Sequence, residues 1–352
     1  MKKIVFRVDS STQIGSGHLM RCLTLANQLK SKAEILFISR HLVGNLNYLI
    51  TQNGFKNIEL LPANDQIELS GYESWLTVKQ EQDAKEVIEI LKNIDVELMV
   101  VDSYAIDANW EKVIRPYAKK IMVIDDLANR KHDCDILLDQ NYYEDMETRY
   151  NGLVNEKCKL LLGPKYILLR EEFYKAKQHQ RQRNGEIKNI LVFLGGSDLT
   201  NETMKTLRAL EMLGRDDITV NVVVGGGNQY KNEVKKFCDR YKWMNYYCQI
   251  NNMAEMMNKA DLAIGAGGTT TWERCFLGLP AIVIAVAENQ VIGSTYCGKK
   301  NLICYIGKYD EVNVEKLNKQ IIYFLQNKKK LFEMMNNMNV LFGNKVNEVN
   351  FS

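Results

Sequence analysis

The chain has 352 residues, 46% hydrophobic and 25% charged, with a formal net charge of +3. That length exceeds one ordinary core and points to two domains of a soluble globular protein. The small charge excess argues against a nucleic-acid partner, no apolar run reaches the ~20 residues of a membrane span, and eight scattered cysteines without a C-x-x-C pair give no zinc or thioredoxin-like motif.

Residues 3–9 read as a first strand that starts at once, with no secretory leader, so a reduced, cytoplasmic setting is expected. Gly15-Ser16-Gly17-His18 follows, and residues 19–30 carry apolar residues at helical spacing. A glycine turn thus joins a strand to a helix start, where free N–H groups attract anions and glycines let a ligand approach. His18, on the first turn of that helix, reads either as a capping histidine or as a group acting on whatever the turn holds. The two glycines before it favour the second reading.

Further strands are expected at 34–39, 57–61, 97–102, 119–125 and 135–138, and helices at 42–53, 78–93 and 107–117. The apolar run 97–102 ends in an acid, as a buried parallel strand does. From 142 to 186 the pattern weakens. The polar stretch ending at Asn184-Gly185 marks the boundary between a first domain, 1–184, and a second, 185–352. A second alternation follows, with strands at 188–194, 218–224, 246–250, 261–265 and 280–286. Helices run to 213, from 230, and over 253–258, 272–277 and 290–300, before a mostly helical remainder. The basic runs 178–183 and 328–330 read as solvated surface. The fold class expected is α/β: two Rossmann-type, doubly wound parallel-sheet domains facing a cleft, because ligands bind at the carboxyl ends of such strands.

The first loop is a poor dinucleotide fingerprint. Met20 stands where the third glycine belongs, and the second strand ends Ser39-Arg40 without the acid an NAD ribose needs. Arg40 keeps an NADP reading open. Two more loops, Gly195-Gly196-Ser197-Asp198 and 265–271, also end strands. Each is either a left-handed turn with a helix cap or an anion cradle, and three together suggest a diphosphate held between the domains. Glu273 reads as a ribose ligand or as an acid favouring the helix N-terminus.

Several of these stretches carry a resemblance. Arg7-Val8-Asp9-Ser10-Ser11, Gln13-Ile14-Gly15-Ser16-Gly17-His18, Arg21, Asp102-Ser103-Tyr104, Asp125-Asp126 and Cys134-Asp135-Ile136-Leu137-Leu138 recur in order, followed by Leu169-Arg170-Glu171-Glu172-Phe173-Tyr174, Gly195-Gly196-Ser197-Asp198 and Glu288-Asn289-Gln290. Together they resemble the nucleotide-sugar hydrolases of the pseudaminic acid pathway over nearly the whole chain. The resemblance implies the GT-B fold, shared with the N-acetylglucosaminyltransferase of peptidoglycan synthesis. It implies His18 as the catalytic residue, with Gly15 and Gly17 in its loop. Tyr104, Asn289 and Gln290 would line the sugar site. Gly195, Gly196, Ser197, Gly268, Thr269 and Thr270 would hold the diphosphate, Glu273 the ribose, and Ile250 and Met253 the uracil. The implied reaction is attack of water on C1 of UDP-2,4-diacetamido-2,4,6-trideoxy-β-L-altropyranose, with inversion and release of UDP. It implies a place in flagellin glycosylation; a monomer without cofactor is expected, and no metal, since no cluster of histidines and acids stands at ligand spacing.

The chemistry is consistent with that list. UDP is already a good leaving group, so it needs charge stabilisation rather than a proton, and one imidazole suffices to activate water. Asp125-Asp126 is read as a strand-end feature rather than a metal site. Related spore-coat polysaccharide proteins share much of the pattern. A glycosyltransferase of the same fold and a non-catalytic nucleotide-sugar binder remain open at this point.

Overall fold

The alternating apolar runs fold into two α/β units. The computed structural model describes residues 2–63, 69–343 and 346. One unit comprises Met1–Asn141 with Asp145–Leu168, and the other comprises Leu169–Val346 with Tyr142–Glu144. The division at Leu168 and Leu169 falls ahead of the expected 184/185 boundary. The cause is helix α5 (Glu171–Gln178), which packs on helices α8 (Met253–Lys259) and α9 (Thr269–Phe276) of the second unit.

The first unit has strands β1 (Lys3–Val8), β2 (Glu34–Arg40), β3 (Lys56–Leu60), β4 (Val96–Asp102), β5 (Ile121–Ile124), β6 (Ile136–Asp139) and β7 (Lys159–Leu162). They pair in parallel in the order β3-β2-β1-β4-β5-β6-β7. Its helices are α1 (Gly17–Leu29), α2 (Tyr48–Gln52), α3 (Gln80–Leu91) and α4 (Ala108–Ile114). Successive residues of a strand point to opposite faces, so β1 feeds two cores. Ile4, Phe6 and Val8 pack with Leu19, Cys22 and Leu23 of α1, while Val5 packs with Val87, Leu91 and Trp110 of α3 and α4.

The second unit has β8 (Asn189–Phe193), β9 (Thr219–Val224), β10 (Met244–Cys248), β11 (Leu262–Ala266), β12 (Ala281–Ala285) and β13 (Cys304–Lys308). These are also parallel, in the order β10-β9-β8-β11-β12-β13. The remaining helices are α6 (Glu202–Glu211), α7 (Lys231–Cys238), α10 (Val291–Lys299), α11 (Val314–Gln326) and α12 (Lys328–Phe342). Among the described residues no helix is long and apolar enough to cross a membrane.

In each unit the strand order reverses at the centre, between β1 and β4 and between β8 and β11. Loops leaving the carboxyl ends of two such neighbours run in opposite directions and open a crevice there.

The expected helix 42–53 is reduced to α2, because Gly44 adopts φ +71° and breaks the run ahead of it. The expected strand 246–250 is β10, Met244–Cys248, which leaves Ile250 in the following loop. Strands β7 and β13 lie in stretches that were read as patternless or helical.

Candidate active site

In the first unit, the chain leaves β1 and turns at Gly15, which has φ +79° and donates its N–H to the carbonyl of Ser11 at 2.9 Å. That turn starts α1 at Gly17, so His18 falls on the first helical turn. The parallel register sets Val8 beside Asp102, the last residue of β4. Asp102 thereby meets the start of α1. His18 Nδ1 lies 2.6 Å from Asp102 Oδ1. One turn along the helix, Arg21 donates Nε and Nη2 to the two oxygens of Asp102, each at 2.6 Å. A bidentate pair of this kind fixes the carboxylate plane. Arg21 Nη1 also donates to Asp126 at 3.0 Å, and the Tyr104 hydroxyl donates to Asp126 as well. The Tyr104 ring stands edge-on to the imidazole with centroids 4.6 Å apart.

Asp102 is 1% exposed. Burial alone would push its carboxyl up, but Arg21 and then His18 hold it below the usual carboxylate range. An ionised Asp102 accepts the Nδ1 proton of a neutral imidazole. The free lone pair is then on Nε2, the nitrogen that can take a proton. Burial and the charge of Asp126 push the Tyr104 hydroxyl well up, which keeps it a donor. Close by, burial and then Asp126 raise the Asp139 carboxyl to about 8, and Tyr150 donates to it at 3.0 Å.

His18 and Tyr104 therefore come together, and Gly15 and Gly17 build the turn that places His18. Sequence reasoning missed Asp102 as the partner of His18, and it missed Arg21 and Asp126 as its bracing. The signals were an acid closing an apolar strand and an arginine three residues after the histidine. Asp125 and Asp126 turn out to do different things. Asp125 accepts from Arg130 at 2.7 Å and from the Ala128 N–H at 2.9 Å, a local clamp. Asp126 faces the His18 cluster. Among the described residues, no group of three or more His, Cys, Asp or Glu is placed to hold a metal ion. Arg40, which kept an NADP reading open, is buried and donates to Asp83 and Glu86, each at 2.7 Å.

In the second unit, the loop after β8 carries Gly195 at φ +100°, then Gly196, Ser197 and Asp198. Asp198 caps α6 by accepting from the N–H groups of Glu202 and Thr203, each at 2.9 Å. Gly225, after β9, packs directly on this loop: a Cβ there would lie 2.1 Å from the Gly196 carbonyl oxygen. After β11 the chain passes through Gly267 and Gly268 (φ +84°) into α9, which begins at Thr269 and thus ahead of the expected 272. Thr269 and Thr270 are half-buried on its first turn, where an α-helix has N–H groups without intrahelical i−4 partners. Arg274, fully buried, locks this turn by donating to the Ala266 carbonyl at 2.6 Å and to Thr271 Oγ1 at 3.1 Å.

Gln290 braces the same turn. It accepts from the Val286 N–H at 3.0 Å, and a Cβ on Gly267 would meet its side chain at 3.0 Å. Asn289 precedes it in the short 3-10 segment Glu288–Gln290. Glu273 is 7% exposed, and burial pushes its carboxyl up against the opposing pull of Arg170. Arg170 donates to Glu273 at 3.3 Å and pairs with Glu172 at 2.5 Å. Glu172 in turn accepts from the Ala254 N–H at 3.1 Å, at the start of α8. Met253, buried, opens that helix, and Ile250 lies half-buried before it. One chain of contacts thus joins Glu273 to the beginning of α8. Arg170 was quoted only as part of a motif, and its role in this chain was not foreseen.

Residues 189–349 match the Glycosyltransferase family 28 C-terminal domain. The chain has the GT-B fold. It aligns with MurG of Acinetobacter baumannii over 97% of this chain and 95% of that one, at a TM-score of 0.62 and 15% identity. It is 28% identical, over 85% of its own length and 97% of the relative's, to the UDP-2,4-diacetamido-2,4,6-trideoxy-β-L-altropyranose hydrolase of Campylobacter jejuni. It is 33% identical to an uncharacterized protein of Methanocaldococcus jannaschii over 82% of this chain, which spans only 56% of that relative's length. The resemblance read from the motifs therefore extends along most of the chain. Within this GT-B fold, the two glycine loops of the second unit, Glu273 and the start of α8 all lie inside the stretch that matches the glycosyltransferase domain.

Proposed function

We propose that this chain is a UDP-sugar hydrolase, and that its substrate is the one named for the Campylobacter relative. The observation that carries the proposal is the 2.6 Å contact of His18 with a buried Asp102 that Arg21 keeps ionised. Asp102 holds the Nδ1 proton, and Nε2 of His18 takes a proton from water. The water oxygen bonds to C1 of the sugar as the bond from C1 to the β-phosphate oxygen breaks. The electron pair departs on UDP, and the configuration at C1 inverts. Tyr104 and Asn289 position the sugar.

The second unit binds the nucleotide. N–H groups at the start of α9 and in the 195–197 loop, with the hydroxyls of Ser197, Thr269 and Thr270, offset the charge growing on the diphosphate. Glu273, steered by Arg170, accepts from the ribose hydroxyls, and Ile250 and Met253 line the uracil. The enzyme works in the cytoplasm as a monomer, without metal or cofactor, and supplies 2,4-diacetamido-2,4,6-trideoxy-L-altropyranose for pseudaminic acid synthesis and flagellin glycosylation.

His18→Ala tests this directly. The expected result is a fall in kcat of about 10²–10⁴ with UDP affinity unchanged. A near wild-type rate in this variant would remove the general base from the account. A second reading, transfer of the sugar to an acceptor hydroxyl, draws support from the match to a glycosyltransferase domain. Incubation with the UDP-sugar alone separates the two: stoichiometric free sugar supports hydrolysis, and an intact donor supports transfer.

A further inference from the structure

Two aromatic rings, Tyr104 and Trp75, pack edge-on against the His18 imidazole, and Tyr72 packs against both of them; Trp75 and Tyr72 belong to a segment that no motif identified. Tyr72 and Trp75 lie in the 3-10 turn Gly71–Leu76, between β3 and α3. Their centroids are 4.9 Å apart, and Tyr104 is 5.0 Å from Tyr72 and 5.4 Å from Trp75. Trp75 also stands edge-on to the imidazole at 5.8 Å. Tyr104 is buried, whereas Tyr72 and Trp75 are half-buried and keep part of their rings at the surface.

The turn is firmly seated. Leu76 and Val78 on either side of Thr77 are 1% and 5% exposed. Thr77 itself adopts φ 59°, a left-handed conformation that a β-branched residue rarely takes. Strain of this kind persists only where the surroundings over-determine it, and it gathers at ligand-binding and catalytic sites.

On the hydrolase reading of His18, we infer that Trp75 and Tyr72 are specificity-determining residues: they form an apolar wall that selects a deoxygenated, methyl-rich pyranose at the reacting centre. Aromatic faces bury C–H and methyl groups well and offer no partner to a hydroxyl. A sugar bearing hydroxyls at C4 and C6 leaves those groups unsatisfied against the rings. One with a methyl at C6 has no such group there, and the methyl of an acetamido group at C4 adds further apolar surface for a ring to cover.

The test compares wild type with Trp75→Ala, Tyr72→Ala and Trp75→Phe, using the diacetamido-trideoxy UDP-sugar as substrate and UDP-N-acetylglucosamine as competitor. Losing one stacked ring is expected to raise KM about tenfold, to leave kcat within about threefold, and to leave the Kd of UDP unchanged. Trp75→Phe recovers most of the loss, and in Trp75→Ala the preference for the deoxygenated sugar over the competitor narrows. If Trp75→Ala does not fold, Trp75→Leu, which keeps bulk without a ring, carries the same expectations. An unchanged KM, a parallel loss of UDP affinity, or a Trp75→Phe variant as weak as Trp75→Ala overturns the inference. Full activity of His18→Ala would instead overturn the hydrolase reading, so the two failures are distinguishable.

Discussion

Position 18 carries an imidazole whose usefulness depends on a carboxylate more than 80 residues away. Asp102→Asn keeps the shape but removes the charge that fixes the Nδ1 proton, so kcat is expected to fall by about 10²–10⁴. The same change leaves the buried guanidinium of Arg21 short of its partner, and chemical denaturation should show a loss of roughly 3–5 kcal/mol. Glu273→Gln removes the carboxylate proposed for the ribose. A calorimetric titration with UDP is expected to show about tenfold weaker binding.

Asp139 shows the opposite sign of linkage to Asp102. Burial and Asp126 raise its carboxyl to about 8, so the folded chain keeps a proton that the unfolded chain releases near pH ~4. Its effect is therefore a stability that declines as pH rises from about 4 to about 8. Asp139→Asn should flatten that decline in a series of thermal melts, and an unaltered slope would show that another group sets it. Among site residues, His18 and Tyr104 were legible because each sits in a local motif. The pairing of His18 with Asp102 was not, because it comes from the register that sets Val8 beside Asp102. Tyr72 and Trp75 escaped notice because a single 3-10 turn has no period to recognise.

At the scale of elements, strands buried on both faces show most plainly in the sequence, although the half-exposed edge strands β3 and β10 were also expected. β4 and β12 are nearly continuous apolar runs with buried side chains throughout most of their length. Edge strands lose that signature: β13 is mostly half-buried, and β7 begins with an exposed lysine. A turn can also depend on an atom that is absent. Gly225→Ala would drive a methyl group to within 2.1 Å of the Gly196 carbonyl oxygen, so the loop after β8 must shift. That overpacking is expected to destabilise the chain by about 1–3 kcal/mol and to weaken UDP binding. Gly227→Ala, with nothing within 4 Å of its added Cβ, serves as the control in the same melts and titrations.

At the scale of the whole molecule, the two units repeat one plan, a parallel sheet whose strand order reverses at the centre. Alternating apolar and amphipathic runs made that plan readable, because crossovers between parallel strands require intervening helices. The boundary was harder to place. α5 has one fully buried side chain, Phe173, and its polar composition looks like a linker although it packs on α8 and α9. The proposed function divides the labour: the second unit holds the nucleotide and the first supplies the base. Its central claim is that water attacks the anomeric carbon, and the oxygen of that water is traceable. Turnover of the UDP-sugar in ¹⁸O-water, followed by mass spectrometry and NMR, is expected to place the label on C1 of an inverted free sugar and none in UDP. Label in the released UDP, or no turnover until an acceptor is added, would contradict it.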